Sequence, residues 1–249
     1  PLEHLLGWVE FCGRRVLVGP GVFVPRRRTE LLVRAAAGVA PPGAVVVELC
    51  CGAGAVAAAL QHEVDVAELH VSDVDPTATV WAARNLPGAG VYTGDLFAPL
   101  PTRLLGRIDV LCLNAPYVPS SEIALMPSEA RVHEPRVALD GGPDGLEVHR
   151  RVAAEAPRWL APGGHVLIET SARQVEGTVA AVRAAGLAST VVTDDGLGAT
   201  VVVGRWAGRG SGRGGLNHDV TGAGAATHPD RVGRTRGGRG RRQGGGGPT

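Results

Sequence analysis

The chain reads as an α/β protein on a mostly parallel sheet covered on both faces, and three observations carry that expectation. Short apolar runs at 44–49, 108–113 and 165–169 alternate with longer amphipathic segments, as strands buried between crossover helices do. A small-residue turn, Gly52-Ala53-Gly54, follows the first run and opens a helix. A later run ends in Asn114-Ala115-Pro116-Tyr117, which sets an amide and an aromatic ring at the carboxyl edge of the sheet, where open α/β sheets bind ligands.

Taken in order, residues 1–28 read as a linker and β-hairpin, with apolar runs at 9–11 and 16–18 around Gly13-Arg14-Arg15. Thr29 is expected to cap a helix reaching about Val39, with Leu31, Leu32 and Ala35 on one face and Pro41-Pro42-Gly43 ending it. Strands follow at 44–49, 69–72, 91–93, 108–113, 165–169, 190–193 and 200–203, seven in all, with helices at 55–61, 77–85, 147–160 and 175–185. Asp194-Asp195-Gly196 joins the last two strands as an antiparallel hairpin at the end of the sheet. The main domain is therefore 29–205, and 206–249 is a tail.

Composition bounds the function. With 44% apolar and only 4% aromatic residues, the core must be mostly Val, Leu and Ala. All the basic residues are Arg, and the net charge of +1 conceals two unequal parts. Residues 205–249 carry nine Arg and two Asp, a net of +7, which leaves 1–204 at −6. An acidic body argues against a nucleic-acid groove. The tail holds fifteen Gly, with Arg-Gly-Gly at Arg213 and Arg236, and too little apolar surface to offset chain entropy, so it reads as disordered. Arg-Gly units are one means of contacting RNA, but no Phe or Tyr lies between them, which favours a solvated extension. Cys12, Cys50, Cys51 and Cys112 form no Cys-x-x-Cys pair, so free thiols and no metal site are expected. No apolar run nears the ~18–20 residues of a membrane span, and no leader pattern begins the chain. A soluble cytoplasmic protein is the expectation.

Around the Gly turn the residues suggest a donor site. Glu48, Cys50, Gly52 and Gly54 frame the first strand–helix turn, Asp73 ends the second strand some twenty residues on, and Asp95-Leu96 follow the third. A dinucleotide fingerprint wants three spaced glycines, and Cys50 occupies the first position. A carboxylate at Glu48 sits poorly beside a pyrophosphate. It suits a cationic ligand such as the sulfonium and amino groups of S-adenosylmethionine.

These residues, together with Phe23-Val24-Pro25-Arg26, Thr29-Glu30, Pro76, Gly94-Asp95-Leu96-Phe97, Glu134-Pro135, Ala138-Leu139 and Gly141-Gly142-x-Asp144-Gly145-Leu146, resemble the HemK-like protein-glutamine N5-methyltransferases from Pro1 to about Arg205. The resemblance implies a class I methyltransferase (Rossmann-like) sheet. It implies S-adenosylmethionine as donor, held by Glu48, Cys50, Gly52, Gly54, Asp73, Asp95, Leu96 and Asn114. It implies a protein substrate, a release factor or other translation protein. The reacting glutamine would be bound by Asn114, the carbonyl of Ala115, Tyr117 and Glu134, with Pro116 fixing the turn. Two residues depart from the family pattern: Ala115 stands for Pro and Cys50 for Gly. Pro116 still restricts Ala115 to extended conformations. The family's helical N-terminal domain does not figure in these 249 residues. The alternatives are an adenine N6-type methyltransferase of nucleic acid and a donor-binding protein without turnover.

Other residues read as ordinary. Arg27 and Arg28 read as a solvated run, with Arg26 set apart by the motif. His133 and His149 read as surface or loop residues, Cys50-Cys51 as packing, and Trp159 and Trp206 as core or edge anchors.

Overall fold

In the computed structural model, residues 1–126 and 134–208 are described. His133 and the expected tail from 209 onward lie outside the described residues. A short helix α1 (Leu2–Leu6) leads into a two-stranded hairpin, β1 (Trp8–Phe11) and β2 (Arg14–Leu17). Cys12 and Gly13 make the reversal with φ of 48° and 69°. Two left-handed residues give the tight turn whose twist matches its strands, so the turn falls one residue earlier than the Gly-Arg-Arg run suggested. The Asn85 amide takes the place of a third strand here. It accepts from Leu17 N at 2.8 Å and donates to Leu17 O and to Ala53 O, each at 2.9 Å.

A 3-10 turn (Arg27–Thr29) precedes α2 (Glu30–Ala37). Thr29 does not cap it: its φ of −67° is already helical and its side chain makes no cap hydrogen bond. The hydroxyl is turned toward the sheet instead.

The main sheet holds β3 (Ala44–Leu49), β4 (Val66–Asp73), β5 (Gly90–Thr93), β6 (Ile108–Leu113), β7 (Leu160–Thr170), β8 (Ala188–Asp194) and β9 (Ala199–Arg205), in the order β5-β4-β3-β6-β7-β9-β8. The first five strands in sequence run parallel. β9 is antiparallel to both β7 and β8, so the closing hairpin lies at the end of the sheet with the last strand tucked inside. Pro162-Gly163-Gly164 was expected to turn into a strand and instead lies within β7. The pairing steps from Ile108↔Leu160 to Val110↔His165, so these residues form a bulge, where Pro and Gly belong in a ladder.

Side chains alternate across the sheet. Val46, Val110 and Cys112 pack with α2, with α3 (Ala55–Glu63) and with the hairpin's Phe11 and Val16. Val45, Val47, Leu49, Leu111 and Leu113 pack with α5 (Glu147–Trp159), α6 (Val175–Ala184) and Phe97. Trp159 is buried and stacks on Phe97 with ring centroids 5.3 Å apart. Between β4 and β5, α4 (Pro76–Asn85) starts on Asp75, whose side chain accepts from Thr77 N.

His149 differs from expectation. It is fully buried in α5, and its Nδ1 meets the Thr178 hydroxyl at 3.0 Å. The i+3, i+4 and i+7 positions, Val152, Ala153 and Ala156, are buried on the same stripe. Burial pushes its pKa down to about 4, so the ring is neutral.

The turn between β3 and α3 depends on one glycine for packing. Gly54 has φ of 75°, and a Cβ there would lie 2.7 Å from Leu86 Cδ1. Gly54→Ala should therefore cost about 2 kcal/mol or more in urea unfolding, from left-handed strain and overpacking together. A loss below about half that would show that the turn relaxes around a methyl group.

Candidate active site

Parallel pairing sets Leu49 level with Leu113. Because β4 and β5 extend from β3 in one direction and β7 from β6 in the other, the chain leaves these two adjacent strands on opposite sides and opens a crevice between them. The crevice is a cavity of about 500 Å³.

One half is lined by Glu48, Cys50, Gly52, Asp73, Asp95 and Leu96. Glu48 is the exception in a strand that is buried throughout. Its Oε2 accepts from Ala57 N at 2.8 Å, and Val56 N adds to the same contact. These are first-turn N–H groups of α3, whose preceding residue is a glycine without a cap. The acceptor at this helix N-terminus is thus the chain's own carboxyl group, which occupies the place a pyrophosphate would need. Burial still pushes the Glu48 pKa up to about 8.

Gly52 (φ 53°) has open space where a side chain would be, so the backbone there is free to lie against a ligand. Gly54, expected to join it, does not line the cavity and serves the packing against Leu86. Cys50 holds φ of 52° without being glycine. Burial raises its thiol pKa, so it is a small neutral wall rather than a nucleophile. Asp73 accepts from Gly52 N at 2.8 Å and Asp75 N at 3.0 Å, and lone pairs on both oxygens remain for a ligand. Asp95 pairs with Arg151 of α5.

The other half is lined by Asn114, Ala115, Pro116, Tyr117 and Glu134 with Arg26 and Arg28. Asn114 donates from Nδ2 to the Thr29 hydroxyl at 3.2 Å. The turn after it is backed by main chain. A Cβ on Gly141 would lie 2.7 Å from Pro116 O and Tyr117 Cα, and Gln174 Nε2 donates to Tyr117 O at 2.8 Å. That close approach is why the Gly-Gly segment accompanies the Asn-x-Pro-Tyr turn. Glu134 is buried and pairs with Arg26, which also lies over the Phe23 ring at 5.0 Å.

Four residues here escaped the sequence reading. Arg28, expected in solvent, donates from Nε to Glu169 Oε1 at 3.2 Å and lies 5.7 Å over the Tyr117 ring. Thr29 was read as a cap and as part of the family motif but given no place in the site, and Arg151 carried no motif. Glu169 sits near the end of β7. The rule that found Asp73, an acid at a strand's carboxyl end, also points to Glu169.

The arrangement suits a ligand with a cationic group and hydroxyls in the acid-lined half, and a planar group in the half under Asn114 and Tyr117. No family model matches the chain. It is 35% identical over 208 residues to the release factor glutamine methyltransferase of Geobacter sulfurreducens, covering 82% of this chain and 72% of that protein. It is 43% identical over 185 residues to the same-named protein of Mycolicibacterium smegmatis, covering 71% of this chain and 65% of the relative. Among solved structures, a methyltransferase from Pyrococcus furiosus superposes with a TM-score of 0.59 at 17% identity, over 80% of this chain and 91% of that one. The ribosomal protein L11 methylase of Lactobacillus delbrueckii subsp. bulgaricus gives 0.55 at 13% identity, over 77% and 85%. These two likenesses establish the Rossmann-like methyltransferase fold, and the sequence identity to the first relative establishes the rest: the chain belongs to the release factor glutamine methyltransferase family.

Proposed function

We propose that the protein transfers a methyl group from S-adenosylmethionine to the side-chain amide nitrogen of a glutamine in a peptide chain release factor. The observation that carries this reading is the meeting of an acid-lined pocket with Asn114, Ala115 and Tyr117 in one cavity. The relatives are named for release factor glutamine methylation, and none of those names favours the base-methylating alternative.

S-adenosylmethionine supplies, when bound, an electrophilic methyl group on a sulfonium. Glu48 and Asp73 are suited to its amino and ribose groups, and Gly52 to close backbone contact. Asp95 and Leu96 border the same space. An amide nitrogen is a weak nucleophile, because its lone pair is delocalised into the carbonyl. Asn114 Oδ1 and the Ala115 carbonyl would accept both amide hydrogens and aim the nitrogen. Tyr117 would cover the planar group, and Glu134 with Arg26 would close the side of the pocket. Positioning and a dry, preorganised set of dipoles then lower the barrier.

The reading is tested by transfer of labelled methyl from S-adenosylmethionine into release factors, with peptide mapping to methylglutamine. Asn114→Ala should lower kcat by about 10²-fold, the usual effect of removing one preorganised hydrogen-bonding group. Donor Kd, measured by calorimetry, should change little. Loss of donor binding with kcat preserved would remove Asn114 from the reaction.

Glu48 gives a pH signature. With its pKa pushed up to about 8, the carboxyl is largely protonated at pH 7, and a cation binds best once it ionises. Donor affinity should rise between pH 7 and 9 in the wild type and be flat in Glu48→Gln. Stability runs the other way. The unfolded chain releases this proton near 4.5 while the folded chain holds it to about 8, so the folded state loses stability as pH rises across that window. The Tm advantage of Glu48→Gln should accordingly grow from pH 5 to pH 8. A pH-independent difference in Tm would contradict the assignment.

A further inference from the structure

We infer that Gln174 is a positioning residue for the proposed reaction: its side-chain amide straps the carbonyl of Tyr117 and so holds the Asn114–Tyr117 turn in place against the methyl donor. The inference rests on that reaction and deepens it. It starts from how little else holds the turn. Among the described residues, Tyr117 O is the only main-chain atom of 114–117 with a hydrogen-bond partner outside the sheet, and the partner is Gln174 Nε2 at 2.8 Å. Side chains add two contacts: Asn114 reaches the Thr29 hydroxyl at 3.2 Å, and Arg28 lies over the Tyr117 ring.

Gln174 stands between the end of β7 and the start of α6, and both ends of its amide are engaged. Nε2 donates to Tyr117 O and to Asp144 O at 3.1 Å, while Oε1 accepts from Ser171 Oγ at 2.6 Å. Carbonyl oxygens only accept, so the NH2 end must face Tyr117 and Asp144, and the amide has one orientation. The strap therefore joins three pieces of chain: the turn, the glycine-rich segment that backs it, and the corner between β7 and α6. A Cβ on Gly145 would collide with both Gln174 Nε2 and Tyr117 O, so a glycine there keeps the path of the strap open. The turn itself is stiff. Pro116 has its own φ fixed and holds Ala115 extended. Few soft torsions separate Tyr117 O from the Ala115 carbonyl, and a hydrogen bond that fixes the first also fixes the second. Gln174 does not line the cavity, so it acts through the turn and not on the substrate. The acid-lined half, built on β3, β4 and β5, has no share in the strap.

Gln174→Met keeps the length of the side chain and removes its hydrogen bonds. Gln174→Glu keeps the shape and turns acceptor oxygens toward two carbonyls. Val182→Ala is the control for stability alone: it removes fully buried volume from the same helix, about two turns further on, and breaks no hydrogen bond. Each is compared with the wild type in kcat and KM for a release factor, donor Kd by calorimetry, and Tm. A misplacement of about 1 Å costs about 10²-fold in rate, so both Gln174 variants should lower kcat by about 10-fold to 100-fold. Donor Kd should hold within about twofold and KM within about threefold. Val182→Ala should lower Tm at least as far and keep kcat within about twofold. If kcat follows Tm alike in all three variants, or donor Kd weakens as far as kcat falls, the strap is merely structural and the positioning role is overturned. If the wild type methylates glutamine and Gln174→Met matches its kcat, the inference fails and the reaction stands. If the wild type methylates no glutamine, the reaction and the inference fall together.

Discussion

The parallel register of β3 against β6 is the constraint on which the site depends. With Leu49 level with Leu113, the turn after each strand begins at the same height on the same edge. One turn must climb into α3 over glycines, and the other must run outward through Asn114 to Tyr117. A two-residue slip of either strand would keep its side chains on the right faces and still separate the two halves of the cavity by about 7 Å, since each residue advances a strand by about 3.3 Å. The apolar alternation across both faces forbids a one-residue slip outright, because it would turn Val110 and Cys112 to the wrong layer.

Electrostatics divides the cavity in the same way that the strands do. Glu48, Asp73 and Asp95 line the half built on β3, β4 and β5, and Arg26 and Arg28 line the half beyond β6. Each acid is held by something local: first-turn amides of α3 for Glu48, loop amides for Asp73, Arg151 for Asp95. The two arginines are each committed to a buried carboxylate, Glu134 and Glu169. The cavity therefore presents fixed dipoles rather than mobile charges, which is the condition under which positioning substitutes for a general base.

How much of this was legible in the sequence differs by residue. The strand pattern, the Gly turn and the Asn-x-Pro-Tyr turn were readable because each is a local signal with a local cause. Gly52 and Gly54 looked alike in the sequence and parted in the structure, since only the packing of Leu86 against the turn reveals which one a methyl group would crowd. Thr29 was misread: a Thr before an apolar helical stripe reads as a cap, whereas its side chain makes no cap hydrogen bond and its hydroxyl meets Asn114, which lies 85 positions away. Arg28 and Glu169 were missed for the same reason, being joined across 141 positions. His149 was legible after all, since it continues the buried stripe of α5. The Pro-Gly-Gly bulge was misread as a turn because both use the same residues.

The Asn85 amide, which stitches Leu17 of the hairpin to the carbonyl of Ala53, makes the hairpin and the Gly turn a single cooperative unit of opening. Neither can fray without breaking bonds held by the other, so backbone amides in both should exchange with solvent as one group, from a common partially open state. The N-terminal hairpin is in that sense a brace for the acid-lined half of the cavity, although none of its own strand residues lines it.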